Sequence, residues 1–139
     1  MDRTSNGRQM STQWIAENVY PHYDDWRGIN IVATILAESA GYEWIRPMVI
    51  KDDTSAVSHL STDRGICQFN SHWWSHVPDH VAFDPEAAIN QMCLSVGTDG
   101  WAINLDWWNA YKSGAYEAYV GMARVAMNAV RDHHGQPVI

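Results

Sequence analysis

The sequence predicts one mainly helical (α+β) domain with a small β-hairpin or irregular region near its middle. The length is the first reason, because 139 residues suit a single domain built around one core. The second is that apolar residues recur at helical spacing between capping residues and glycine or proline. The third is that this spacing is lost across residues 42–70. We assign residues 1–10 to a polar leader, 11–134 to the domain and 135–139 to a short tail.

Two helices are predicted in the first third of the chain. Ser11 can cap a short helix that runs through Val19 and stops before Pro21. Asp24 and Asp25 precede a longer helix, which Gly41 is suited to end. The apolar residues of this second helix define one buried face: Ile29, Val32, Ala33 and Leu36.

Two further helices are predicted in the second half of the chain. Asp84 and Pro85 form a helix start, with Asp as the cap and Pro at the first helical position, and Gly97 ends this helix. Its apolar face consists of Ile89, Met92, Cys93 and Val96. Residues 101–113 are interpreted as a Trp-rich connector. The last helix is predicted over residues 115–134, with Tyr116, Tyr119, Ala123, Met127 and Val130 facing inward.

Charge and composition exclude several classes of function. The net charge of −7 provides no basic patch for a phosphate backbone, so we expect no nucleic acid partner. The N-terminal residues contain no apolar signal-peptide core, and no stretch is long enough to span a membrane. We therefore expect synthesis in the cytoplasm without a signal peptide and no membrane partner. The two cysteines, Cys67 and Cys93, are expected to be buried free thiols.

Aromatic composition points towards carbohydrate binding. The chain has eight Trp and six Tyr but only two Phe. Trp and Tyr combine a flat apolar face with a polar group, which suits stacking on sugar rings. The alternative is that these residues mainly fill the core.

Glu38 is the strongest candidate for an acid catalyst. It lies in the last turn of the predicted second helix, within the segment ILAESAG, so one side rests on packed aliphatic residues. Partial burial and the C-terminal end of the helix dipole both disfavour its charged form and raise its pKa. Glycoside hydrolysis requires such a protonated carboxylic acid, commonly with a second carboxylate nearby. The alternative is an ordinary surface glutamate at a helix end.

A motif downstream of Glu38 carries a family resemblance. Residues 61–74, STDRGICQFNSHWW, resemble the active-site hairpin of animal lysozymes, whose pattern runs S-T-D-x-G-I-x-Q-I-N-S-x-W-W. The order of catalytic Glu and motif also matches. Gly65 has an independent interpretation, because a glycine within a β-like run indicates a tight bend or a close backbone approach. A second run, 108–116, resembles soluble lytic transglycosylases and the lysozyme-like domains of phage tail proteins, although Lys112 departs from their usual Asn.

The resemblance to the lysozyme-like superfamily implies a role for each matching residue. Glu38 would be the general acid, and Asp63 the second carboxylate. The implied substrate-binding residues are Gln68, Asn70, Trp73, Trp74, Trp108 and Tyr111. The gap between Glu38 and Asp63 is longer than in animal lysozymes. A glutamic acid with a raised pKa is itself a feature of lysozymes, so the resemblance implies the same shift for Glu38.

The implied function is a muramidase that cleaves the β-1,4 bond between N-acetylmuramic acid and N-acetylglucosamine. Its partners would be peptidoglycan glycan strands and, in a virion, other virion proteins. The setting implied is a bacteriophage, with the enzyme acting on the bacterial wall as a tail component or after host lysis. The alternatives are a lytic transglycosylase that forms 1,6-anhydro products and a virion structural or wall-binding module with vestigial catalysis.

Other candidates for chemistry are weaker. Glu43 lies beyond Gly41 and is expected to point away from the Glu38 site. His72, His76 and His80 are spaced by four, but Pro78 interrupts any helix that would carry all three. We therefore expect no metal and no cofactor.

Overall fold

The computed structural model describes residues 6–45, 50–52, 59–99 and 102–139. Within them the chain is mainly helical, with two short antiparallel strand pairs. The six α-helices of the described residues are α1 (Thr12–Val19), α2 (Trp26–Ser39), α3 (Asp79–Ala82), α4 (Pro85–Ser95), α5 (Asn109–Lys112) and α6 (Val120–His133). The strands are β1 (Ile50–Asp52), β2 (His59–Ser61), β3 (Thr98–Asp99) and β4 (Ala102–Ile103). The mainly helical class predicted from the sequence is confirmed.

The predicted start signals of the first two helices are confirmed. The Ser11 hydroxyl accepts a hydrogen bond from the Trp14 amide at 3.0 Å, which caps α1. The Asp25 carboxylate accepts one from the Arg27 amide at 3.1 Å, which caps α2. Gly41 has a φ of 86°, and Ala40 before it is also left-handed, with a φ of 53°. Because a Cβ on Gly41 would lie 2.6 Å from the Met10 carbonyl oxygen, the chain can turn this closely only at a glycine.

The N-terminal segment is tied to the chain that follows α2. The Met10 amide donates to the Gly41 carbonyl at 2.8 Å, and the Glu43 amide donates to the Arg8 carbonyl at 2.9 Å. The described part of the expected leader, residues 6–10, therefore pairs with residues 41–44 and belongs to the folded domain. Residues 1–5 lie outside the described residues.

The predicted central hairpin is present, but it involves different residues from those of the lysozyme-like motif. Strands β1 and β2 are antiparallel, with Ile50 opposite Ser61. Only Ser61 of the motif lies in a strand, and residues 62–74 form turns and extended loop. Strands β3 and β4, also antiparallel, were not predicted.

The second half of the chain differs from expectation in two places. The predicted start of α4 is confirmed, because the Asp84 carboxylate accepts from the Glu86 amide at 3.1 Å. The supposed connector contains β4 and α5, while Trp101 lies outside the described residues. The predicted last helix begins as a 3-10 helix, Ala115–Tyr119, before α6. In a 3-10 helix residues i and i+3 share one side, so Tyr116 and Tyr119 both pack on the core.

Helix α2 occupies the centre of the fold. It packs against α1, α5, the 3-10 helix and α6, and nine of its residues are buried. The C-terminal residues fold back onto α6, where the Asn128 side chain and the Ile139 backbone exchange hydrogen bonds of 2.9 and 2.8 Å. In the parts of the chain that the structure describes, no helix combines the length and apolar character needed to cross a bilayer.

Candidate active site

A groove of about 390 Å³ lies at the C-terminal end of α2. Its lining includes every site residue predicted from the sequence except Tyr111, which stacks on Tyr116 with ring centroids 4.6 Å apart. Ser61, Trp107 and Asn109 also line the groove, and none of the three was predicted as a site residue. The complete lining is Glu38, Ser61, Asp63, Gln68, Asn70, Trp73, Trp74, Trp107, Trp108 and Asn109.

Glu38 projects from the last turn of α2 into this groove. Its Oε1 accepts a hydrogen bond of 2.8 Å from the backbone amide of Ala110, in the first turn of α5. Trp108, the residue that precedes α5, makes no side-chain cap, so Glu38 satisfies this amide from another part of the chain. Desolvation by burial raises the pKa of Glu38. The Ala110 hydrogen bond lowers this pKa by a smaller amount, and the negative charge of Asp63 raises it further.

Asp63 lines the same groove and is held there by Asn70. The Asn70 amide nitrogen donates to Asp63 Oδ1 at 3.0 Å and to the Ser61 hydroxyl at 3.1 Å. The Asn70 oxygen accepts from the amides of His72 and Trp73 at 2.9 and 3.1 Å. Asn70 was predicted to present its polar group to the groove, but both ends of its amide bond to the protein. It therefore orients Asp63 and fixes the turn that carries Trp73.

Gln68 has a similar structural role. Its amide nitrogen donates to the carbonyl oxygens of Gly65 and Ile45 at 2.8 and 3.2 Å. Its backbone is left-handed, with a φ of 54°, which a non-glycine residue adopts only at some cost. Gln68 is only 8% exposed, so little of its side chain is available to a ligand in the groove.

The tryptophans of the groove divide into buried and exposed members. Trp108 is 3% exposed, donates its indole N–H to the Cys67 carbonyl at 2.9 Å, and packs against Phe69 and Trp74. Most of this ring belongs to the core, and only its small exposed part lines the groove. Trp73 and Trp107 are 60% and 67% exposed, and both line the groove.

Arg64 organises the loop that carries these residues. The Arg64 side chain is 4% exposed, and its guanidinium donates to the Phe69, Val77 and Trp74 carbonyls at 3.0, 2.9 and 3.2 Å. It also contacts the Asp79 carboxylate at 3.0 Å. Arg64 occupies a variable position in the lysozyme pattern, so the resemblance gave no signal for it. A buried arginine whose donors meet loop carbonyls stabilises a segment that lacks regular secondary structure.

The other titratable candidates are not among the residues that line the groove. Glu43 is 4% exposed, but its carboxylate accepts hydrogen bonds from the Arg8 backbone amide and side chain at 2.6 and 2.7 Å. It faces a different cavity, which His80 also lines. His72 and His76 contact Trp73 and Trp74. Among the described residues, no group of three or more His, Cys, Asp or Glu side chains is arranged to hold a metal ion.

Comparison of the chain with protein-family models, with curated proteins and with solved structures finds no significant match. The chemistry of the groove is therefore what indicates a function. A carboxylic acid with a raised pKa and a hydrogen-bonded second carboxylate lie there beside exposed indole rings.

Proposed function

We propose that this chain is a peptidoglycan-cleaving glycosidase of the lysozyme-like superfamily. In this proposal it acts as a muramidase on the β-1,4 bond between N-acetylmuramic acid and N-acetylglucosamine. The single observation that carries the proposal is the shared groove of Glu38 and Asp63. One carboxyl group there has a raised pKa, and the other is held by an amide. Glycosidases commonly pair a proton donor with a charge-stabilising carboxylate in this way.

Each carboxyl group would have a distinct part in the reaction. Protonated Glu38 donates its proton to the glycosidic oxygen as the bond from that oxygen to the anomeric carbon breaks. The Asp63 side chain stabilises the positive charge that develops on the sugar ring. Water then adds to the anomeric carbon, so the product has a reducing end, and Glu38 recovers a proton from that water.

The proposed setting is a bacteriophage, with the enzyme part of a virion or released at host lysis. This part rests on the resemblance of residues 61–74 and 108–116 to lysozymes and phage tail domains. Co-sedimentation of the chain with purified virions tests for a tail component, and recovery only in the soluble lysate indicates a lysis enzyme.

Glu38→Gln tests the proposal directly. Gln keeps the shape of the side chain and can still accept the Ala110 hydrogen bond, but it has no proton to transfer. We expect cleavage of purified sacculi to fall by about 10²-fold or more, the usual contribution of a general acid. Glu17→Gln, on the exposed side of α1, is the matched control and should cleave like the wild type. A folded Glu38→Gln protein with wild-type turnover would rule out Glu38 as the acid.

A further inference from the structure

Trp107 is an exposed aromatic residue that the surrounding chain holds in place. Its neighbours Leu105 and Trp108 are 0% and 3% exposed, whereas Trp107 itself is 67% exposed. The Trp108 amide donates to the Leu105 carbonyl at 2.9 Å, which closes a turn around Trp107. The backbone at Trp107 is therefore held between two buried residues, while its indole ring remains largely exposed.

The exposed face of Trp107 belongs to the groove of Glu38. Trp107 meets the ring of Trp74 edge-on, with centroids 6.5 Å apart and planes at 79°, and both line the groove with Trp73. Trp73 and Trp107 come from separate segments, and each leaves more than half of its surface open. Large apolar surfaces left exposed inside a groove indicate a ligand that covers them.

The chemistry of the lining restricts that ligand. The titratable residues of the groove are the two carboxylic acids Glu38 and Asp63, and none of the described residues that line it is basic. Such a lining disfavours phosphates and other anions. It suits an uncharged pyranose, whose apolar C–H face stacks on indole and whose hydroxyl and amide groups bond to carboxylates and amides.

We propose that Trp107 is a substrate-binding residue that stacks on an uncharged N-acetylhexosamine ring of the glycan strand. With Trp73 it forms two aromatic walls from two segments of the chain. This inference rests on the proposed glycosidase function. It adds a second aromatic substrate-binding residue, which lies outside the motif of residues 61–74. Stacking of this kind binds the ground state and the transition state alike, so its loss raises KM more than it lowers kcat.

Binding is measured by calorimetry with the hexamer of β-1,4-linked N-acetylglucosamine, in a Glu38→Gln background that does not cleave it. We expect addition of Trp107→Ala to raise the Kd about tenfold, and addition of Trp107→Phe to raise it about threefold or less. The matched control is Trp26→Ala, because Trp26 is 46% exposed and lies outside the groove lining. It should leave the Kd unchanged.

A second measurement does not depend on how well the alanine variant folds. The indole N–H resonance of Trp107 in the NMR spectrum is assigned by its loss in Trp107→Phe. In the Glu38→Gln protein this resonance should shift on addition of the hexamer. The indole resonance of Trp26 should not shift. On sacculi, Trp107→Phe should raise KM and keep kcat within about threefold of the wild type.

Two results separate this inference from the proposed function. The first result is that the Glu38→Gln protein binds the hexamer, that adding Trp107→Ala or Trp26→Ala leaves the same Kd, and that the Trp107 resonance does not shift. Trp107 is then not a sugar-binding residue. The glycosidase proposal is untouched by that result. If the Glu38→Gln protein binds no glycan and the wild type cleaves no sacculi, both fail together.

Discussion

At the scale of single residues, Glu38 experiences two opposing influences. Burial disfavours its negative charge, while the amide of Ala110 favours it, and burial is the larger effect. The pKa of Glu38 is therefore raised above the ordinary value of 4.5. A carboxyl group in this state keeps its proton at a pH where an exposed glutamate has lost it, as an acid catalyst requires.

The raised pKa predicts how activity and stability change with pH. Cleavage should decline as the pH rises through the pKa of Glu38, because the proton donor is lost. The stabilising effect of protonated Glu38 is fully present below about pH 4.5 and is lost as the pH rises through the raised value. Glu38→Gln should therefore match the wild type in Tm at low pH and exceed it at higher pH. Parallel Tm curves for the two proteins across this range would contradict the assignment.

In the proposed mechanism, Asp63 is the residue that distinguishes a hydrolase from a lytic transglycosylase. We expect Asp63→Asn to lose most activity while keeping the fold, since Asn70 can still bond to the amide oxygen. Wild-type products should carry reducing-end muramic acid, as judged by mass spectrometry of released muropeptides. Asp106→Asn, an exposed substitution outside the groove lining, is the control. If products carry 1,6-anhydro ends and Asp63→Asn stays active, the chain is a lytic transglycosylase.

At the scale of elements, the loop of residues 61–74 depends on a close approach at Gly65. Gly65 has a φ of 74°, and its amide donates to the Ile45 carbonyl at 2.9 Å. A Cβ there would lie 1.8 Å from the Ala82 carbonyl oxygen, so the loop and the end of α3 would have to separate. The sequence predicted a tight bend or close approach at this glycine, and both are present.

Gly65→Ala should therefore lower the free energy of unfolding by about 2 kcal/mol or more, through steric overlap and left-handed strain. Gly121→Ala is the matched control, because Gly121 lies in α6 with no atom within 4 Å of an added Cβ. It should raise stability by roughly 0.5–1 kcal/mol through helix propensity. Urea unfolding measures the free energy of unfolding of both variants. Equal values for Gly65→Ala and the wild type would refute the close approach.

At the scale of the whole molecule, a single core encloses both cysteines. Cys67 is 0% exposed and Cys93 3% exposed, and both are free thiols, as the sequence predicted. Burial raises the pKa of Cys93 to about 12 and that of Cys67 well above its ordinary value. The reactive species is the thiolate, so the folded protein should protect both side chains.

Alkylation of the folded protein at pH 8 should therefore be slow, and denaturation without reductant should allow two labels per chain, as counted by intact mass. Labelling as fast in the native as in the denatured state would show that the core opens readily. Failure to reach two labels after denaturation would instead indicate a disulfide.

The sequence by itself determined the features that depend on a few neighbouring residues. Short local patterns predicted the apolar face of α2 and the helix caps at Ser11, Asp25 and Asp84. The structure contains each of them. The motif of residues 61–74 also indicated most of the groove. It did so through a resemblance, since spacing alone gives no reason for Asp63 to meet Glu38.

Only the tertiary structure decided how those residues are used. Glu38 meets the Ala110 amide across 72 positions of sequence, and no local signal encodes that contact. Trp107 and Trp108 are adjacent and chemically identical, yet one is exposed and the other is buried against Phe69 and Trp74. Local patterns fix helices, whereas burial and long-range hydrogen bonds depend on which segments pack together. Those long-range contacts raise the pKa of Glu38 and determine which tryptophans stay exposed.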